Sequence, residues 1–459
     1  MKPYPKYKPS GVPWLGDVPE HWDVVALKRR LSIANGSTPK SDEPSYWGGP
    51  IQWITPEDLG KVAGKRISET KRTLTDEGYA SCGTQLIPEG SIVLSTRAPI
   101  GSIAIAGTEA CTNQGCRALV PTDRVVSDFA YYSLVALTGP LQTHGRGTTF
   151  LELSAGDLSS FHLPFPSSSE QLAIAAYLDT ETVRIDTLVA EKWNLIDLLR
   201  EYRQSVITEA VTKGLKPDVQ MKKSGVPWLG DIPAHWQALS LRRALEGLAV
   251  NGVFKKGEDF GEGVPLVNVA DLFQENFVVD TENLERVRCD ENETQRYGVN
   301  EGDIFLVRSS LKLEGIARFA IVQAIKEETV FECHVVRMRP DAQKCAPMFL
   351  AYYLNSSFAR QSLVSRAKTT TMTTIDQSEA LATPLLLPPP TEQTAIAAYL
   401  DTQTAKIDGL IAHVEKEIEL LRELRAATIT DAVLGRIDLR DYTKKNKRGD
   451  KSSELQPAL

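Results

Sequence analysis

Cysteine, histidine and long apolar runs are all scarce in this chain of 459 residues. The six cysteines, Cys82, Cys111, Cys116, Cys289, Cys333 and Cys345, include no CxxC and no Cys/His spacing of a zinc site. They read as reduced, structural thiols of an intracellular protein. No segment reaches the roughly 18 uninterrupted apolar residues of a membrane span, and the opening MKPYPKYKPSGVPWLG lacks the apolar run of a signal peptide, so a soluble cytoplasmic protein is expected. Catalytic signatures are missing as well. The nearest approach to a phosphate loop, Gly60-Lys61-Val62-Ala63-Gly64-Lys65-Arg66, is one residue short between its glycines and lacks the Ser/Thr after lysine. No GxGxxG follows a strand, and no NPPY- or DPPY-like motif occurs. His144, His162, His334 and His413 form no triad or metal spacing, while His21 and His235 belong to a repeated segment and read as structural. Acidic pairs such as Glu57-Asp58 and Glu327-Glu328 read as solvated faces. An autonomous nuclease or methyltransferase would lack the motifs it requires, and the chain reads instead as a reader or a scaffold.

What is present is an average globular composition, 42% apolar and 24% charged, on a chain long enough for about three domains or two large ones. Lysine and arginine number 52 against 59 acidic residues, and the net charge of −7 argues against coating nucleic acid by bulk attraction, though not against a local basic surface. The stretch from Arg440 to Leu459 is basic and reads as a solvated, disordered tail.

An internal duplication organises the rest. Ser10 to Trp22, SGVPWLGDVPEHW, returns at Ser224 to Trp236 as SGVPWLGDIPAHW, and Glu170 to Asp186, EQLAIAAYLDTETVRID, returns at Glu392 to Asp408 as EQTAIAAYLDTQTAKID. Between these repeats lie two variable regions that share only fragments. Glu89 to Leu94 leads toward Arg97 as Glu301 to Leu306 leads toward Arg308, and Ala130-Tyr131-Tyr132 is answered by Ala351-Tyr352-Tyr353. Within the variable regions, short β-rich runs (Ser91 to Ser95, Ile103 to Ala106, Asp303 to Val307, Ala317 to Val322) alternate with turn residues, which predicts mixed α/β or mostly β domains.

The repeated segments predict helices. Ser167-x-x-Glu170 has the spacing of a capping box, followed by a short helix carrying Ile174 and Tyr177, or Ile396 and Tyr399. Beyond Asp179 and Asp401 the apolar spacing becomes 3,4,3,4. It predicts a helix-pair seam of Ile185, Leu188, Leu195 and Leu199 with Ile407, Leu410, Val414 and Leu421. Lys192, Glu417 and Thr428 interrupt the seam, and Val189, Ile196, Ile411 and Ile418 widen it. A helix from Asp179 to about Lys213 would be ~50 Å long. Two such helices packed antiparallel would relate the halves by a pseudo two-fold axis.

Paired variable regions, each preceded by GVPWLGDVPEHW and followed by PxPxxxEQxxIAxxLD, resemble the specificity subunits of type I restriction-modification systems. GSTPKSDEPSYWGGPIQWITPEDLG (36–60), RAPIGSIAIAG (97–107) and TNQG (112–115) are similar to that family's target recognition domain; NGVFKKGEDFGEGVPLVNVADL and GDIFLVRSS are more divergent counterparts. The resemblance covers residues 10 to 439. It implies an α/β (α+β) fold with two tandem target recognition domains separated by two long, antiparallel, coiled-coil-like helices. The expected plan is a lead-in segment (1–23), target recognition domain 1 (24–165), a central helical spacer (166–223), a repeated lead-in (224–236), target recognition domain 2 (237–386), a C-terminal helical spacer (387–439) and the basic tail (440–459).

The resemblance also implies a non-catalytic chain that binds double-stranded DNA, each recognition domain reading half of a split, asymmetric site. It would hold two adenine-N6 methyltransferase subunits and, through them, restriction/translocase subunits. S-adenosylmethionine, ATP and Mg are expected on those partners, with no metal or cofactor in this chain. Glu170, Gln171, Ile174 and Tyr177, with Glu392, Gln393, Ile396 and Tyr399, are the expected partner contacts. A specificity subunit of a modification-only or other phage-defence complex is the near alternative. A coiled-coil protein scaffold that reads no DNA is the alternative of a different class.

Base readout needs donors and acceptors on loops that enter a groove, and phosphate contact needs cations, hydroxyls or amides. On that basis the DNA candidates are Lys40, Trp47, Thr55, Arg97, Asn113 and Gln114 in the first domain. In the second they are Lys255, Lys256, Asn268, Arg308, Ser309 and Lys312. Arg146, Thr148 and Thr149, matched by Lys368, Thr370 and Thr371, recur in both halves and suit phosphate contact.

Overall fold

The chain divides into two units, Met1–Lys192 with Lys416–Leu459, and Trp193–Glu415. A computed structural model describes residues 2–97, 99–145, 151–226, 229–369 and 372–442. The division cuts through both helical spacers, so each unit contains a globular region and a part of each long helix.

In the first unit the strand Asp23–Ala26 pairs antiparallel with His162–Phe165, which brings the two ends of the globular region together. Between them lies a five-stranded sheet in the order Leu31–Asn35, Cys116–Pro121, Ile92–Ser95, Ile103–Ala106, Arg66–Ile67. All four residues of Ile92–Ser95 are buried. Because successive side chains point to opposite faces, Ile92 and Leu94 join a core with Phe129, Trp22 and Ile174, while Val93 joins Ile54 and Ala118 on the other face. A smaller sheet orders Ala110–Thr112, Trp47–Ile54 and Thr73–Leu74.

The second unit repeats this plan. Gln237–Ser240 pairs with Pro384–Leu387. A four-stranded sheet runs Val250–Asn251, Val335–Met338, Ile304–Val307, Phe319–Ile321, and a smaller one runs Glu285–Val287, Phe260–Val267, Val330–Phe331. Ile304 and Leu306 face a core with Trp236 and Ile396, and Phe305 and Val307 face a second cluster. Both small sheets carry a bulge at the same place: Trp47 and Ile51 both register with Leu74, and Phe260 and Val264 both register with Val287. Gly48 (φ +84°) and Gly261 (φ +104°) occupy the left-handed conformation that each bulge needs.

The long helices span Ser168–Lys213 (46 residues) and Pro390–Val433 (44 residues). The expected short helix is thus the first part of one continuous helix, about 69 Å long at 1.5 Å per residue. No glycine or proline interrupts Ser168–Lys213. The Ser167/Glu170 capping contacts form at its start, Glu170 N–H to Ser167 Oγ at 3.4 Å and Ser167 Oγ to Glu170 Oε2 at 3.0 Å. In the first unit Arg425 Nε bonds Asp186 Oδ1 at 2.8 Å and Lys192 Nζ meets Glu417 at 2.6 Å. Position rises along one helix as it falls along the other, so these helix parts run antiparallel. In the second unit Arg203 Nε bonds Asp408 Oδ1 at the same 2.8 Å. These are the same two repeat positions with donor and acceptor exchanged between helices.

The buried seam matches the expected one at Ile185, Ile407 and Val414 and differs elsewhere. Ile185, Ile196 and Ile207 are buried, as are Ile407, Ile418 and Ile429, together with Ile411 and Val414. Leu188, Leu199 and Leu421 are half-buried, whereas Leu195 and Leu410 are exposed at 39% and 54%. The isoleucines recur every eleventh residue. Eleven residues make three turns of 3.67, close to the 3.6 of a straight helix, so this face does not drift as a seven-residue repeat would. Lys192 and Glu417, which interrupt the heptad reading, pair with each other.

Each lead-in segment locks a helix end. Gly435 (φ +70°) follows the second long helix, and a Cβ there would lie 2.5 Å from Pro19 and 3.0 Å from Trp22. Gly214 (φ +78°) follows the first, where a Cβ would lie 3.2 Å from Trp236. Trp22 and Trp236 are fully buried. Among the described residues no helix is long and apolar enough to cross a membrane.

Candidate nucleic-acid interface

In the first unit, the bulge, a short helix and the turn between two strands converge. Asn113 Oδ1 accepts the Gly115 amide at 2.9 Å, which shapes the turn that presents Gln114. Thr38 donates to the exposed Gln114 side chain, and Arg117 Nη1 donates to the Gln114 carbonyl at 3.1 Å. Trp47 donates its indole N–H to the carbonyl of exposed Lys40 at 3.2 Å and meets Trp53 edge-on at 5.0 Å. Trp53 is buried and donates to Ser37 O at 3.0 Å, so it anchors the 36–48 loop from below. A cavity of about 330 Å³ opens between Trp53, Thr55, Lys71, Arg72 and Asn113. Arg97 Nε lies 3.1 Å from where a Cβ on Gly115 would stand, so Trp47, Thr55, Arg97, Asn113 and Gln114 belong to one patch.

Thr55 has a local duty there. It caps the helix Pro56–Leu59, its hydroxyl donating to Asp58 Oδ2 at 2.6 Å and accepting the Asp58 amide at 3.3 Å. The cap engages the hydroxyl's donor and one of its two lone pairs. Sequence reading missed Arg72, whose guanidinium lies 3.3 Å from the centre of the Trp47 ring. Twenty-five positions separate the two residues, and no local rule joins them.

The second unit presents the same loop set with other side chains. Asn268 stands where Thr55 stands; its amide donates to Asp271 Oδ2 at 2.7 Å and its side chain to Glu285 at 3.2 Å. Asn113-Gln114-Gly115 is replaced by Glu332-Cys333-His334, since Cys116 pairs with Ser95 as Val335 pairs with Val307. The same register corrects the pairing of Arg97 with Arg308. Thr96 N bonds Gly115 O and Arg308 N bonds His334 O, so Arg308 matches Thr96, and Arg97 matches Ser309. A slip of one residue sends the two arginines to opposite faces. Arg308 has a buried Nε without a partner. Ser309 is buried and its hydroxyl bonds His334 Nδ1 at 2.7 Å. Burial, together with Glu332, raises the pKa of Cys333.

Lys255 does not offer a free charge: it pairs with Glu293 at 2.7 Å, with only 12% of its side chain exposed. Its desolvation opposes protonation, but the hydrogen bond to Glu293 raises its pKa overall. Lys368 pairs with Asp376 at 2.7 Å on the surface. Lys256 and Lys312 are exposed. Arg146, Thr148, Thr149, Thr370 and Thr371 lie outside the described residues.

The expected partner contacts are corrected more broadly, because most of them build the units themselves. Ile174 and Ile396 are completely buried in the cores. Gln171 accepts the Val126 amide at 2.8 Å and donates to Arg124 O at 3.1 Å and Pro166 O at 3.0 Å; Gln393 makes the equivalent bonds to Ala346, Lys344 and Pro388 at 2.7, 3.0 and 2.8 Å. Glu170 takes His21 Nε2 at 2.9 Å, and Glu392 takes His235 Nε2 at 2.7 Å. Tyr177 is partly covered by Tyr442 at 5.3 Å, which also shows that the first tail residues pack onto the first unit. Tyr399 remains 41% exposed.

Residues 19–194 match the family model described as the type I restriction modification DNA specificity domain. The MjaIX specificity subunit of Methanocaldococcus jannaschii is 40% identical over 166 residues, 36% of this chain and 38% of that relative. The StySPI specificity subunit of Salmonella potsdam is 22% identical over 438 residues, covering 92% of this chain and 90% of its own. A solved chain from a study of complex assembly and conformational transition in a type I restriction-modification system has the same fold, with a TM-score of 0.70, 16% identity, and coverage of 92% of this chain and 99% of that one.

Proposed function

Because this chain belongs to the family of type I restriction-modification specificity subunits, we propose that it reads a bipartite, asymmetric DNA sequence and directs adenine-N6 methyltransferase and restriction/translocase subunits to it. The observation that supports this reading best is one scaffold built twice with different side chains at the same loop positions. Thr55 corresponds to Asn268 in the repeat, Arg97 to Ser309, and Asn113-Gln114-Gly115 to Glu332-Cys333-His334. A common frame with unequal readers calls for two unequal half-sites.

In this account the chain supplies the address from the cytoplasm and carries no catalytic group. S-adenosylmethionine, ATP and Mg act on the partner subunits. With a net charge of −7, the chain alone binds DNA weakly, and much of the phosphate contact comes from the partners. The test is selection of random duplexes by the assembled complex. A split, non-palindromic consensus is expected, and enrichment of a single contiguous palindrome contradicts the reading.

A further inference from the structure

The second unit encloses a cavity of about 640 Å³ that the shared plan of the two halves does not require. Its walls include Leu272, Phe277, Phe319 and Val364, and two arginines line it, Arg318 ahead of the strand Phe319–Ile321 and Arg360 on the helix Ser357–Val364. Each has a buried Nε with no hydrogen-bond partner. Arg360 Nη2 donates to the backbone carbonyl of Glu314 at 2.7 Å, and Arg318 lies over the Phe273 ring at 5.6 Å. Neither forms an ion pair with a carboxylate among the described residues. Burial and the Arg318 charge lower the pKa of Arg360 and outweigh the opposing pull of the Glu314 carboxylate, as expected of like charges held close together. A third lining arginine, Arg203, is already committed to Asp408 at 2.8 and 3.2 Å.

Backbone strain gathers at the same place. Phe277 (φ +46°) and Ala317 (φ +55°) are the non-glycine residues with positive φ among those described; the first lines the cavity and the second precedes Arg318. Such conformations are costly for residues with a Cβ and concentrate where a ligand is clamped. In the first unit the place of Ala317 is taken by Gly101 (φ +107°), each amide bonding the matching strand end, Val307 O or Ser95 O. Ser102 there stands for Arg318, because Leu94 pairs with Ile103 as Leu306 pairs with Phe319. The arginine and the strained alanine thus belong to the second half alone.

We propose that this cavity binds a small phosphate monoester with a flat apolar body, such as a nucleoside monophosphate, its phosphate held by Arg318 and Arg360. A phosphate monoester offers three terminal oxygens, enough to accept from both guanidinium groups, whereas a carboxylate or a DNA phosphodiester offers only two. The volume lies within the range of small-molecule sites, and the apolar wall suits a base or similar ring. Glu314 at the lining disfavours a polyphosphate. This inference stands apart from DNA reading and survives if that reading fails.

The test is calorimetric titration of the full chain, free of DNA and at low salt, with AMP, adenosine and inorganic phosphate. AMP is expected to bind one per chain, and adenosine at least tenfold more weakly. Arg318→Gln and Arg360→Gln should each weaken AMP at least tenfold without lowering the melting temperature, and phosphate should compete with AMP. Folded wild-type protein that takes up no AMP at millimolar concentration overturns the proposal. So does AMP affinity unchanged in the variants, or adenosine binding as tightly as AMP. Should Arg318→Gln fail to fold, Arg360→Gln and the adenosine comparison decide the matter.

Discussion

At the scale of residues, Glu170 shows how the repeated motif is used. Its carboxylate accepts from His21, Ser167, Trp22 and Tyr4 in a buried position. Burial raises its pKa, but the hydrogen bonds from His21, Ser167 and Trp22 outweigh that and hold it below the ordinary value. A carboxyl group with a depressed native pKa stabilises the fold fully above its unfolded pKa, and the contribution disappears as pH falls through the native value. The melting temperature of wild type over Glu170→Gln should therefore be highest near neutrality and shrink below about pH 4; a constant difference from pH 7 to pH 3, followed by circular dichroism, contradicts this. Burial raises the thiols of Cys111, Cys116 and Cys345 to about 12, so alkylation at pH 8 should leave them unmodified until the chain is unfolded. Labelling of these three in native protein, located by mass spectrometry, contradicts their burial. Arg97→Ala should weaken DNA binding by the assembled complex by about 1–3 kcal/mol with melting unchanged; undiminished affinity in a filter-binding titration removes Arg97 from the interface. Much at this scale was not legible in the sequence. Thr55 and Asn268 carry the spacing of a cap to Asp58 and Asp271, but the same polar side chains suit DNA contact, and only geometry separates the two. Arg72 over Trp47 depends on the pairing of two strands distant in sequence.

At the scale of elements, the strands were largely legible, because runs such as Ile103–Ala106 are short, apolar and bounded by turns. The helices were legible in existence and pairing but only in part in the face they bury: Ile185, Ile407 and Val414 are buried as expected, Leu195 and Leu410 are not. Leucines spaced 3,4,3,4 imitate a coiled-coil seam, while isoleucines at every eleventh position keep to one side of a nearly straight helix. The difference is measurable. Ile196→Ala should cost about 2–5 kcal/mol, as truncation of a buried aliphatic side chain does, and Leu195→Ala, at an exposed site, less than about 1 kcal/mol. Equal losses in urea unfolding would restore the heptad seam.

At the scale of the whole molecule, the duplication was the most legible feature, since near-identical segments recur in the same order and carry several of the same contacts. Tyr132 donates to Asp179 at 2.8 Å, and Tyr352 to Asp401 at 2.7 Å. The divergence between the halves was only partly legible: the exchange of Asn113-Gln114-Gly115 for Glu332-Cys333-His334 depends on strand register, which fragments of similarity do not fix. Replacing residues 24–165 by the corresponding region of a relative should change one half of the recognised site and leave the other half intact. The most direct measurement is sequencing of methylated bases in DNA from cells that express this chain with the proposed methyltransferase partner, set against cells lacking the chain. A split, non-palindromic motif methylated at adenine only when the chain is present is the predicted result. Absence of chain-dependent methylation, with both proteins folded and assembled, would contradict the account.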